Sequence, residues 1–118
     1  MKIIAGAGQF DAPGEQAHWA EQFRVADLSV GTYSIPAGQP DEQTPHTEDE
    51  IYVVTAGRAA IDSGGSRAAV GPGAVIYVPA GEEHRFTDVT EDLALLVFFA
   101  PAEYARADAD GPGHGPPG

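Results

Sequence analysis

The chain has 118 residues, enough for one domain with its own hydrophobic core and short for two. Eighteen Asp and Glu against six Lys and Arg give a formal net charge of −12, which argues against partners rich in phosphate, namely nucleic acids and anionic membrane surfaces. The absence of cysteine excludes thiolate catalysis, Fe–S clusters and Cys-based zinc sites.

The N-terminal residues 1–22 are predicted to form a strand or arm ahead of the main domain. The first fourteen residues, MKIIAGAGQFDAPG, contain one lysine and a very short apolar run. That is too little for a signal peptide or a membrane span, so a cytoplasmic location is expected. The stretch Glu15–Phe23 predicts one or two helical turns. The apolar run KIIAGAGQF is suited to pairing with a sheet edge, which predicts a homodimer.

Residues 23–104 are predicted to form one β-barrel domain. Runs rich in β-branched and aromatic residues alternate there with Gly and Pro, as in all-β barrels and sandwiches with two facing antiparallel sheets. The predicted strands are Phe23–Ala26, Leu28–Ile35, Ile51–Thr55, Arg58–Asp62, Arg67–Val70, Ala74–Val78, Arg85–Val89 and Leu93–Phe99. Residues 105–118 are rich in Gly, Pro and Asp and predict a flexible tail, in which His114 is a solvated residue.

Three residues are suited to holding a metal ion. His46 and Glu50 are four positions apart in a segment that leads into the predicted strand Ile51–Thr55, and along an extended chain both can point to the barrel interior. His84 follows a turn at Pro79–Gly81 that can redirect the chain inward. Two imidazoles and one carboxylate form the ligand set of facial-triad sites and of some zinc sites, both of which leave positions open for substrate. Glu48, Asp49, Glu82 and Glu83 are predicted to form a solvated acidic rim.

The same stretches resemble the two motifs of the cupin superfamily, GX₅HXHX₃₋₄EX₆G and GX₅PXGX₂HX₃N. Gly38, His46, Glu50 and Gly57 fit the first motif, and Gly73, Pro79, Gly81 and His84 fit the second at every spacing. The resemblance covers about residues 23–100 and implies a small single-domain cupin, an all-β double-stranded β-helix or jelly-roll barrel. It also implies one divalent metal ion, with Fe²⁺ favoured and Zn²⁺, Mn²⁺, Ni²⁺ or Cu²⁺ as alternatives.

Two positions depart from the family motifs. The first histidine of the first motif is replaced by Thr44, and the final asparagine of the second by Asp88. The site is therefore reduced to His46, Glu50 and His84, and Thr44 is predicted to line the pocket. A water molecule, Thr44 or the amide oxygen of Gln43 are the alternatives for the missing imidazole, and Gln43 is a candidate fourth ligand.

The resemblance implies a pocket that takes a small organic molecule, with Tyr52 and Phe86 as further pocket walls. A mononuclear metal site with open positions predicts an oxygenase or dioxygenase-like oxidoreductase first, and a metal-dependent isomerase or lyase second. A small-molecule-binding module without turnover is the alternative. Neither the substrate nor a general base is identified by the sequence.

Overall fold

The computed structural model of this protein describes residues 1–43 and 45–105. Within them the strands are β1 His18–Val25, β2 Leu28–Ile35, β3 Asp49–Ser63, β4 Ser66–Val70, β5 Val75–Val78 and β6 His84–Ala100. They form one antiparallel sheet in the order β1-β2-β6-β3-β4, with β5 also paired to β3. No helix in these ranges is long and apolar enough to cross a membrane. The all-β prediction is confirmed.

The two long strands β3 and β6 bend and fold the sheet back on itself into a barrel. Each covers two predicted strands and the turn between them, and they pair from Asp49 opposite Ala100 to Ser63 opposite His84. An unbent strand from Glu50 to Ser63 would extend about 40 Å. His84, the partner of Ser63, nevertheless lies 3.1 Å from Glu50. The register shifts between residues 54 and 60 mark β-bulges. Bulges bend a strand pair, so the two ends of the β3–β6 pair face each other across the barrel interior.

The barrel interior holds the hydrophobic core. Its side chains are those at the inward-facing, alternating positions of β2, β3, β5 and β6. The largest of them that are buried are Tyr33, Ile35, Tyr52, Val54, Phe86, Leu93, Leu95 and Phe99. The predicted metal ligands therefore lie among apolar side chains, where a charged group needs a partner.

The helical turn predicted over residues 15–23 is wrong. Strand β1 begins at His18 and pairs with β2, with Trp19 opposite Tyr33. A bulge between Glu21 and Phe23 adjusts its register. Long-range pairing with a strand overrides the weak local helical preference, and β1 spans the predicted boundary between residues 22 and 23.

Gly57 occupies the point where β3 bends, and we expect its replacement to be costly. Its φ is +88°, and an added Cβ would lie 2.2 Å from the backbone oxygen of Asp92. We expect Gly57→Ala to lower the free energy of unfolding by about 2 kcal/mol or more. Urea denaturation measures this, with Gly14→Ala as control because a Cβ there meets no atom within 4 Å. Equal losses in the two variants would contradict this explanation.

The outer face of β5, β3 and β6 supports the predicted homodimer, which stays a prediction. Ile51 lies opposite both Tyr77 and Phe98, and all three are exposed, so they form an apolar row on one face. Residues 2–10 form no strand, and Gly8 instead bonds to Thr32 and Thr55 of its own sheet. We expect sedimentation at tens of micromolar protein to give a dimer and Tyr77→Lys to give a monomer. A monomeric wild type would refute the prediction.

Candidate functional site

The predicted ligands are brought together by the pairing of β5 with β3. Val78, the last residue of β5, lies opposite Glu50. The turn that follows Val78 leads to His84 at the start of β6, and its Gly81 N–H donates to the His46 carbonyl oxygen at 2.7 Å. This turn delivers His84 beside Glu50 and ties it to the loop that carries His46.

Glu50 stands between the two histidines. Its Oε1 lies 3.1 Å from His84 Nε2 and 3.8 Å from His46 Nδ1, and all three residues are buried. Two ligands on one zinc or iron ion at bond lengths of about 2.1 Å are about 3.0–3.4 Å apart, so both pairs are close to ligand spacing. Across the described residues, however, no three His, Asp or Glu side chains form a complete metal-binding group. The structure therefore contains the two Glu50-centred pairs, and the three-ligand site stays a prediction.

Three polar atoms of this cluster are buried without a hydrogen-bond partner. They are His46 Nδ1 and both carboxylate oxygens of Glu50. Buried polar atoms in native proteins nearly always have a partner, so each such atom needs an explanation. All three can offer lone pairs, and His46 Nδ1 lies 3.8 Å from Glu50 Oε1, an arrangement that a cation between them would satisfy. The donor set thus fits a divalent metal ion.

A buried hydrogen-bond chain from Asp41 through Gln43 and Tyr52 reaches His84. Gln43 Nε2 donates to Asp41 Oδ2 at 2.8 Å, which turns the Gln43 amide oxygen toward Tyr52. The Tyr52 hydroxyl donates to that oxygen at 2.5 Å. Burial, together with the nearby charges of Glu50 and Asp41, raises the pKa of Tyr52 well above its ordinary value and keeps the hydroxyl protonated.

His84 carries a proton on both ring nitrogens in this arrangement. Its Nδ1–H donates to the Glu82 carbonyl oxygen at 2.9 Å. Because the Tyr52 proton is used on Gln43, the Tyr52 oxygen accepts from His84 Nε2–H at 2.7 Å. Burial lowers the pKa of His84, but the Glu50 carboxylate 3.1 Å from Nε2 and the hydrogen bond to the Glu82 carbonyl oxygen outweigh it and raise the pKa above its ordinary value.

The predicted pocket walls Tyr52 and Phe86 lie in the barrel interior and do not line the cavity beside His84. Tyr52 and Phe86 are buried with their rings edge to face at 5.0 Å, and Gln43 is buried beside them. Thr44 lies outside the described residues, as do residues 106–118 with His114. A cavity of about 310 Å³ opens to solvent over Gln43 and His84, and its other lining residues include Pro45, Asp62, Ser63 and Glu83. Of the three predicted ligands, His84 is the one among the lining residues of this cavity.

Three acidic residues have structural roles that the sequence analysis missed. Asp41 and Glu103 are buried, and Glu103 Oε2 lies 2.9 Å from His46 Nε2. Glu48 is also buried and accepts a hydrogen bond from Tyr104 N at 2.6 Å, so its assignment to a solvated rim is wrong. The reason is that residues 101–105 fold back over the loop before β3. The buried pairing of His46 with Glu103 joins positions far apart in the sequence and leaves no local pattern.

Comparison with known proteins identifies the family. A family model for the cupin domain matches residues 31–99. The uncharacterized protein SCO3923 of Streptomyces coelicolor is 49% identical over 81 residues, which are 69% of this chain and 77% of that protein.

Solved structures share the barrel at low sequence identity. An RmlC-like cupin protein from Desulfovibrio desulfuricans superposes with a TM-score of 0.69 at 23% identity, over 86% of this chain and 98% of that one. DMSP lyase DddQ from Ruegeria pomeroyi superposes with a TM-score of 0.67 at 21% identity, over 85% of this chain and 54% of that one. These likenesses show the double-stranded β-helix fold, and with the family match they lead to one conclusion: the chain belongs to the cupin family.

Proposed function

We propose that this cupin binds one divalent metal ion through His46, Glu50 and His84 and acts on a small organic molecule. The observation that carries the proposal is the set of buried lone pairs without hydrogen-bond partners on His46 Nδ1 and both Glu50 oxygens. Burying a carboxylate and an imidazole with unsatisfied lone pairs costs stability unless a cation fills the space. Fe²⁺ is the favoured ion, with Zn²⁺, Mn²⁺, Ni²⁺ and Cu²⁺ as competitors.

The surrounding residues have defined roles in such a site. A metal ion with open positions activates oxygen or polarises a substrate oxygen. The Glu82 carbonyl holds the His84 ring by its Nδ1–H, which leaves Nε2 facing Glu50. The Gln43 amide oxygen is engaged by Tyr52, so in this arrangement Gln43 orients the phenol and is not a free fourth ligand.

Oxygenase-like chemistry is the first reaction class that we propose, and proton transfer by an isomerase or lyase is the second. The second is favoured by one observation: the Tyr52 hydroxyl keeps its proton and lies 2.7 Å from His84 Nε2, so a substrate that replaced Gln43 as its acceptor would receive a hydrogen bond from it. The same fold carries a DMSP lyase in Ruegeria pomeroyi, so a cupin barrel of this kind can support a lyase. The cavity of about 310 Å³ beside His84 has room for a small molecule.

Metal content and oxygen consumption test this proposal. Protein purified from its own host should contain about one metal ion per chain by elemental analysis, and the metal-free protein should bind Fe²⁺ in anaerobic calorimetry. Oxygen uptake by the iron-loaded protein across a panel of small molecules indicates an oxygenase, whereas turnover without oxygen indicates the isomerase or lyase. Metal binding without any turnover would support a binding module instead. Failure of the wild type to bind any divalent metal would overturn the metal site.

Metal affinity should increase with pH. The raised pKa of His84 means that a metal ion must displace the Nε2 proton before this nitrogen can act as a ligand. Below that pKa the proton competes with the metal, and above it the competition disappears. Calorimetry at several pH values from about 6 to 8 should therefore show affinity rising with pH, and a buffer-dependent enthalpy should report proton release. An affinity that does not change over this range would contradict the assignment of His84.

A further inference from the structure

We infer that Glu103, carried by the segment after β6, is a positioning residue that makes His46 present its Nδ1 lone pair to the metal. The inference rests on the proposed function for the metal, but the hydrogen bond on which it depends belongs to the protein alone. No motif of the sequence includes Glu103, which lies outside residues 31–99 of the family match.

The contact between Glu103 and His46 fixes where the imidazole proton sits. Glu103 Oε2 lies 2.9 Å from His46 Nε2, and both side chains are buried. With the proton on Nδ1, the Nε2 lone pair would face a carboxylate lone pair, and the Nδ1–H would be buried without an acceptor. With the proton on Nε2, the carboxylate accepts a hydrogen bond and Nδ1 keeps its lone pair. The second arrangement is the stable one.

The free Nδ1 points into the site. It lies 3.8 Å from Glu50 Oε1, and neither atom has a hydrogen-bond partner. Two facing lone pairs repel each other unless a cation lies between them. Glu103 thus acts on one nitrogen of the ring while the metal would be held by the other, and a carboxylate in this position also makes the imidazole a stronger ligand.

The backbone around Glu103 is held at three points, so the carboxylate is fixed in place. Glu103 N–H donates to Ser29 Oγ at 2.8 Å, and its carbonyl oxygen accepts from Arg24 Nη2 at 2.7 Å. The next residue, Tyr104, is bonded to Glu48 through its N–H, and its ring stacks on His46 with centroids 5.4 Å apart. Segment 101–105 is therefore built as a wall of the site.

Metal affinity and the His46 tautomer, measured on the same variants, test this inference. In metal-free wild type, ¹⁵N NMR should show His46 protonated at Nε2. We expect Glu103→Ala to mix the tautomers and to weaken metal binding by about 10–100-fold. Glu103→Gln keeps an acceptor oxygen within reach of His46. Compared with Glu103→Ala, it should restore part of the Nε2-protonated tautomer and part of the metal affinity. The His84 and His18 resonances are internal controls, because within the described residues neither histidine is hydrogen-bonded to Glu103.

The possible outcomes separate this inference from the proposed function. If wild type binds no metal, the proposed function fails, whatever the tautomer. If wild type binds metal but Glu103→Ala binds it equally well with an unchanged His46 tautomer, the role of Glu103 is refuted. Protonation of wild-type His46 at Nδ1 would also refute it. Thermal unfolding and the dispersion of amide resonances show whether Glu103→Ala is folded, and if it is not, the comparison of wild type with Glu103→Gln decides.

Discussion

His84→Ala should lower metal affinity by about 100-fold or more, equivalent to about 2.8 kcal/mol, while the barrel stays folded. Of the two imidazoles beside Glu50, that of His84 is the nearer, with Nε2 3.1 Å from Oε1 against 3.8 Å for His46 Nδ1, and no other imidazole on the described strands can replace it there. The variant leaves the Tyr52 hydroxyl without its His84 contact, a cost of about 1–3 kcal/mol to stability. The apolar strands that form the core remain. Calorimetry with Fe²⁺ or Zn²⁺ measures the affinity and far-UV circular dichroism checks the fold.

The matched control for this prediction is His18→Ala. His18 lies at the start of β1, opposite Ser34, and has no contact with the Glu50 cluster. Its replacement removes one imidazole from the chain and should leave the site affinity unchanged, which separates the site from nonspecific binding to histidine. Equal metal binding by wild type and His84→Ala would show that the site is assigned wrongly.

Asp41→Ala should lower the free energy of unfolding by about 3–5 kcal/mol, although it removes a negative charge from a chain with a net charge of −12. The buried Asp41 carboxylate accepts four hydrogen bonds. Its Oδ1 accepts from Tyr33 OH at 2.7 Å and Gln43 N at 3.1 Å, and its Oδ2 accepts from Gln43 Nε2 at 2.8 Å and Phe86 N at 2.8 Å. Alanine would leave four buried donors without an acceptor. Urea denaturation monitored by fluorescence measures the loss.

Glu42→Gln is the control for Asp41→Ala. Glu42 is the next residue in the same loop, but it is exposed, so its replacement should change stability by less than about 0.5 kcal/mol. The two variants remove the same charge from neighbouring positions, and only one removes buried acceptors. A loss below about 1 kcal/mol for Asp41→Ala would show that the carboxylate is not the organising group of this loop.

The sequence by itself determined the fold class, the family and the location of the candidate ligands. These follow from local spacing. Side chains alternate along an extended chain, which predicts that His46 and Glu50 share a face; the structure places His46 Nδ1 3.8 Å from Glu50 Oε1, although His46 lies in the loop before β3. The turn before His84 is likewise encoded by Pro79 and Gly81, and the structure places His84 beside Glu50 as that turn predicts.

Only the tertiary structure decided which acidic residues are buried and what they hold. Asp41 and Glu42 are neighbours of similar chemistry, yet one is an interior acceptor of four bonds and the other is exposed. Glu48 and Glu103 are both buried, because segment 101–105, which carries Glu103, folds over the loop that carries Glu48. The local pattern of a strand specifies a face but not the distant segment that covers it. Partners far apart in the chain meet through sheet pairing and folding of the barrel. One such partner, Glu103, sets which ring nitrogen of His46 carries the proton.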